Sequence, residues 1–167
     1  SAQISYVRAS LLLQPSDTFD ALLTYAHQRD EVDGRMQPTP GSDGWGDPYG
    51  KYQNGSVQRE PSERTVDVGS LEMNFDLGFA SLVSSTSYYG TDGSSTSENT
   101  GFYAQVGWLG AFYYNYPRPM ASAVRSYDNS AFVQELRLVS KGGETFDWVA
   151  GAFYQDEDRN STQDSYL

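Results

Sequence analysis

The stretch Ala131-Phe132-Val133-Gln134-Glu135-Leu136-Arg137-Leu138-Val139-Ser140 decides the reading of this chain, together with the Lys141-Gly142-Gly143-Glu144 turn and the return Phe146-Asp147-Trp148-Val149-Ala150-Gly151-Ala152-Phe153-Tyr154. Phe132, Gln134, Leu136 and Leu138 alternate with Val133, Glu135, Arg137 and Val139. On the return, Trp148, Ala150, Ala152 and Tyr154 alternate with Val149, Gly151 and Phe153. A period of two is that of an extended chain, whose successive Cβ atoms leave opposite faces. A Gly-Gly pair permits the positive φ of a short turn. The expectation is an antiparallel hairpin with strands over 131–140 and 146–156, Glu135 and Arg137 on one face and Leu136 and Leu138 on the other.

Working outward, the same plan recurs twice. Strands are expected over 4–14 and 19–30 around Pro15-Ser16-Asp17-Thr18, and over 64–75 and 79–89 around Asp76-Leu77-Gly78. The fold expected is all-β, an antiparallel up-and-down meander of six long strands, each longer than the roughly 5–6 residues usual in a soluble domain. The connections 31–63 and 90–130 are long, and the turns at the other end are short. Short turns on one side and long loops on the other is the pattern of outer-membrane barrels. Tyr6, Tyr25, Tyr88, Tyr89, Trp148 and Tyr154 fit an interfacial aromatic girdle, or equally the aromatic core of a soluble sandwich.

Composition removes several function classes. The 167 residues hold 22 acidic against 11 basic side chains, a net charge of −11, which repels phosphate backbones and argues against nucleic-acid binding. With no cysteine and one histidine, thiolate sites, thiol nucleophiles and histidine-based zinc sites are excluded. Aromatic residues make up 14% of the chain, far from the composition of disordered acidic segments, although the mean hydropathy is only −0.60. No apolar run approaches the roughly 20 residues of a transmembrane helix, but a membrane strand needs only about 9–11 residues of alternating character. Ser1-Ala2-Gln3-Ile4 shows neither the basic nor the apolar part of a signal peptide.

The hairpin 131–154 resembles a barrel hairpin of TonB-dependent outer-membrane receptors, as do Arg8-Ala9-Ser10-Leu11-Leu12-Leu13-Gln14-Pro15-Ser16 and Asp76-Leu77-Gly78-Phe79-Ala80-Ser81-Leu82-Val83-Ser84-Ser85-Thr86-Ser87-Tyr88-Tyr89. The three stretches fall one in each of the three expected hairpins, in the family's order, and correspond to the earlier part of its barrel. The resemblance implies a barrel of about 22 strands closed by an N-terminal plug, importing scarce ligands such as metal chelates or oligosaccharides. It implies outer-membrane lipid, the plug, the remaining barrel strands and the inner-membrane TonB complex as partners, and no cofactor. The sequence shows no plug, no TonB-box segment and no barrel-ending strand, stopping at Tyr166-Leu167, so the expectation is a segment of such a receptor.

Glu135 and Arg137, with Arg8, are expected to face the lumen or plug, because a charge facing mid-bilayer costs about 2–4 kcal/mol for Arg or Lys. Trp45, Tyr49, Tyr52, Tyr103, Trp108, Phe112, Tyr113, Tyr114 and Tyr116 crowd the long connections and are expected either to contact a small-molecule or glycan ligand or to pack on one another. Asp30, Asp33, Asp43, Asp47 and Asp92 match no calcium-loop spacing and read as solvated charge. The run Asp156-Glu157-Asp158 reads likewise, and His27 reads as interfacial. No nucleophile, base and orienter assemble, so an enzyme is not expected. The alternative functions are a soluble carbohydrate-binding β-sandwich and a β-rich surface adhesion protein.

Overall fold

Six strands form one antiparallel sheet in sequence order in the computed structural model, which describes residues 1–34, 47–56, 58–100, 121–142 and 146–166. They are β1 (Ala2–Ser16), β2 (Phe19–Val32), β3 (Ser62–Asp76), β4 (Ala80–Glu98), β5 (Ser122–Ser140) and β6 (Val149–Tyr166). Each pairs with its chain neighbours alone, and the sheet is not closed, leaving β1 and β6 as edges. The up-and-down meander is thus the observed architecture.

The strands run further toward the long connections than the alternation indicates. β4 continues through Gly90-Thr91-Asp92-Gly93-Ser94-Ser95-Thr96-Ser97-Glu98, β5 begins at Ser122 instead of 131, and β6 extends to Tyr166 instead of 156. The connections shorten accordingly, to 33–61 and 99–121. These extensions are polar on both faces and leave no hydrophobic alternation to read. A continuous backbone ladder holds them, aided by cross-strand side-chain bonds such as Ser126 to Thr162 at 2.7 Å.

The turns are tied sideways into a rim. Gly78 (φ 84°) and Gly142 (φ 79°) take the left-handed conformation that a side chain would resist. The Asp76 carboxylate accepts the Gly78 N–H at 2.7 Å and pairs with the Lys141 ammonium, joining the β3–β4 turn to the end of β5. The Asp76 N–H donates to the Thr18 carbonyl at 2.8 Å, which adds the β1–β2 turn. In β1 the register shifts between Leu13 and Ser16, which brackets Pro15. A residue with no N–H is tolerated at a bulge on an edge strand.

Among the described residues no hydrophobic core lies behind this sheet. Among the described residues the buried apolar side chains are Ala21, Ala80, Ala121, Ala123 and Ala131, all alanines, and no large side chain is fully buried. Leu11, Leu13, Leu23 and Leu136 stand between 43% and 54% exposed. Full burial of such a side chain is worth about 1.5–3 kcal/mol, and leaving it half open to water forgoes about half of that, so their environment is the central question of this fold.

Candidate functional site

The register sorts every strand residue onto one of two faces, because residues directly opposite share a face. One, the leucine face, has rungs Phe19/Phe75/Leu82/Leu138/Ala150, then Leu13/Ala21/Met73/Ser84/Leu136/Ala152, then Leu11/Leu23/Leu71/Thr86/Gln134/Tyr154. None of these residues is charged. The next rung, Ala9/Tyr25/Gly69/Tyr88/Phe132/Asp156, is half aromatic, with its one carboxylate on the edge strand. Aromatics also mark the foot: Phe19 and Phe75 stack at 4.6 Å, Phe79 and Phe146 are exposed, and Trp148 bonds its backbone to Ser140. From Ala80, level with Trp148, to Tyr88 is about 27 Å along β4, which would be about 20 Å of height at the roughly 40° tilt of a barrel strand. The apolar band of a membrane barrel is about 25 Å tall.

The charges of this turn half all lie on the opposite, arginine face. Asp20, Glu72, Glu135 and Arg137 share it, with Asn74 donating to Asp20 at 2.8 Å and Arg137 pairing with Glu135 at 3.0 Å. Arg8 is on the same face, as expected, and Leu136 and Leu138 are on the other. Tyr25, Tyr88 and Tyr154 belong to the leucine face, but Tyr6 and Tyr89 do not. They stand on the arginine face and are no part of that girdle, since adjacent residues such as Tyr88 and Tyr89 cannot point the same way.

Above the aromatic rung, in the loop half, both faces are charged. On the leucine face His27 Nδ1 lies 2.9 Å from Asp67, which also accepts the Tyr25 hydroxyl at 2.5 Å, and Arg29 pairs with Glu31 at 2.7 Å. On the arginine face the Gln28 amide and the Arg64 guanidinium both donate to Asp30, at 2.8 and 3.0 Å. Gln28 first and Arg64 second hold the Asp30 carboxyl below the usual carboxylate range. The Tyr127 ring lies across Gly93, where an added Cβ would come within 2.6 Å of its hydroxyl. Asp30 and Asp92 occupy opposite faces, so they cannot converge on one cation, and the described residues hold no group of three or more potential metal ligands. The 156–158 run is split the same way, Glu157 pairing with Arg159 at 2.7 Å on the arginine face.

Of the loop aromatics, Trp45, Tyr103, Trp108, Phe112, Tyr113, Tyr114 and Tyr116 lie outside the described residues. Tyr49 is half-buried and folds over Gly55, where a Cβ would meet its hydroxyl at 2.5 Å. Tyr52 is 87% exposed, with the Lys51 ammonium 5.4 Å from its ring. Sequence reasoning missed the pairings Asp30–Arg64 and Tyr25–Asp67–His27, each of which depends on a β2–β3 register set across a connection of more than two dozen residues. It also missed Gln134, whose amide donates to Ser84 at 3.1 Å and accepts from Thr86 at 2.5 Å within the leucine face. No protein-family model and no curated protein matches the chain.

Proposed function

We propose that this sheet is part of the wall of an outer-membrane barrel, a segment of a TonB-dependent transporter that binds a scarce extracellular ligand and admits it to the periplasm. In this reading the leucine face of the turn half meets lipid, and the arginine face lines the lumen opposite a plug. The long connections open to the exterior, and the inner-membrane TonB complex acts through the plug. Further strands continue the wall from β1 and β6, whose open backbone groups would otherwise invite pairing with other chains.

The observation that supports it best is the separation of charge. Three successive rungs of one face hold no charge, and every charge at that height stands on the other face. In water a sheet gains nothing from that separation unless a second layer covers the leucines. In lipid it is required, because each misplaced Arg or Lys costs about 2–4 kcal/mol at mid-bilayer. A two-sheet sandwich would need that second layer, and all six strands of the described residues join a single sheet.

The chain has no cysteine, so single cysteines can carry an environment-sensitive fluorophore without background. With the protein in vesicles containing brominated lipid, label at Leu136→Cys or Leu82→Cys is expected to be quenched and label at Glu135→Cys or Val83→Cys spared. Equal quenching on both faces, or a monodisperse protein in water with its leucines shielded, would refute the wall.

A further inference from the structure

We infer that the arginine face of the loop half binds an acidic oligosaccharide, its rings lying on Tyr6, Tyr89 and Tyr127 and its carboxylates meeting Arg8 and Arg125. This rests on the barrel reading, which makes that face the inside of the wall.

The sorting of charge in the loop half is the first premise. Of the arginines in strands, only Arg29 stands on the leucine face, where it is outnumbered by Glu31, Glu63, Asp67, Asp92 and Asp128. The arginine face of this half has two carboxylates, Asp30 and Glu157, and each is already engaged, by Arg64 and Arg159. Arg8 meets no carboxylate among the described residues, and Arg125 donates its Nε to the neutral amide of Gln163 at 2.6 Å. A chain of net charge −11 therefore keeps an unneutralised positive surface on one side of one half of its sheet. Solubility does not demand this, since either sign hydrates equally well on either face. A surface made positive against so acidic a background is matched to an anion, and its field draws anions inward.

Ring placement selects the kind of anion. Each free arginine stands two residues from a tyrosine on the same face, Arg8 beside Tyr6 and Arg125 beside Tyr127, a spacing of about 7 Å along the strand. That matches a uronic acid, whose carboxylate projects from the edge of a flat pyranose ring. Tyr6 is 59% and Tyr89 40% exposed, so their rings are open to stacking. Between them the rung of Tyr6 supplies Gln28, Thr91 and Asn129, neutral donors and acceptors for sugar hydroxyls. A neutral glycan would leave the arginines without a role, and a compact metal–carboxylate chelate would leave the tyrosines without a flat partner.

Titration calorimetry on the detergent-solubilised protein tests this with three probes: hexagalacturonate, maltohexaose and ferric citrate. Arg8 and Arg125 stand four strands and six residues apart, roughly 30 Å, a span of about six sugars. Hexagalacturonate is expected to bind most tightly, to weaken with added salt, and to lose about tenfold in affinity in each of Arg8→Gln and Arg125→Gln, the loss of one charged hydrogen bond. Arg29→Gln, on the other face, is expected to leave it unchanged. Maltohexaose or ferric citrate binding as tightly as hexagalacturonate, indifference to both arginine substitutions, or no binding of any probe would overturn the inference. Quenching of label at Leu136→Cys, with the same protein reconstituted into vesicles of brominated lipid, separates the two readings. Quenching retained while the sugar fails to bind sinks only the ligand assignment, and quenching lost sinks the wall itself.

Discussion

The two halves of each strand obey different rules although the same hydrogen-bond ladder runs through both. In the turn half the leucine face carries no charge over three rungs, and Asp20, Glu72, Glu135 and Arg137 all stand opposite. In the loop half, within the same strands, Arg29, Glu31, Asp67 and Asp92 populate the leucine face freely. Backbone pairing does not distinguish the halves, so the difference records what each side chain touches. An aromatic rung through Tyr25, Tyr88 and Phe132 marks the change from one to the other. On the proposed reading the halves differ as lipid differs from water, and each prediction tries that comparison at a different strength.

The largest effect is expected from moving a charge across it. Leu136→Arg and Ser126→Arg alter the same strand on the same face, ten residues apart. In vesicles, Leu136→Arg should lower unfolding stability by about 2–4 kcal/mol and Ser126→Arg by almost nothing, as read from urea titrations of tryptophan emission. Equal costs at the two positions would erase the distinction between the halves.

Glycines sharpen it next. At Gly93 an added Cβ would fall 2.6 Å from the Glu63 carbonyl and from the Tyr127 hydroxyl, so Gly93→Ala must displace backbone and ring together. A loss of about 1–3 kcal/mol is expected, the usual range for overpacking. Gly69, in the aromatic rung, has nothing within 4 Å of that point, and Gly69→Ala should be neutral or stabilise by about 0.5–1 kcal/mol. The same titrations measure both.

Hydrogen-bonded side chains offer a gentler probe. Gln134, Ser84 and Thr86 satisfy one another amid leucines, whereas Ser126 and Thr162 bond at the same face of the loop half. Ser84→Ala removes an acceptor from Gln134 on the face that the proposed wall turns to lipid, and should cost about 1 kcal/mol. The triple change Ser84→Ala, Thr86→Val, Gln134→Leu removes both sides of each bond and should be nearly neutral. Ser126→Ala, in reach of solvent, should leave the midpoint unchanged.

How much of this was legible in the sequence follows the same boundary. The turn half announces itself, because Leu136 and Leu138 against Glu135 and Arg137 state the period, the faces and the hairpin at once. The loop half is nearly silent: Ser94-Ser95-Thr96-Ser97 is as extended as any leucine strand, but with polar side chains on both faces it has no alternation to betray it. Strand ends read from alternation therefore fall about nine or ten residues short on β4, β5 and β6. Tyr6 and Tyr89 differ from the expected girdle for another reason: nearness to a strand end does not give the face, which parity does, and Arg8 two residues from Tyr6 carries that parity. The Asp30–Arg64 pair could not be read at all, because its partners meet only through a register that no local pattern fixes.

The smallest effect belongs to the rim below the turn half, which the proposed wall leaves in water on both faces. The Lys141 ammonium and the Gly78 N–H favour the ionised Asp76 carboxylate and hold its pKa below the usual value. A carboxyl whose folded pKa is depressed contributes its stability above the ordinary value of about 4 and loses it as pH falls through the lower folded value. The tie between the β3–β4 turn and the end of β5 should accordingly be intact at neutral pH and open only in strong acid. Carbon-13 titration of the Asp76 carboxyl checks this: its midpoint should lie below that of a free aspartate and return toward it in Lys141→Met, while the Asp30 midpoint, held by Gln28 and Arg64 at the far end of the sheet, stays low. A Lys141→Met midpoint unchanged from wild type would mean the Gly78 N–H alone sets the depression, and the rim would then be closed by backbone rather than by charge.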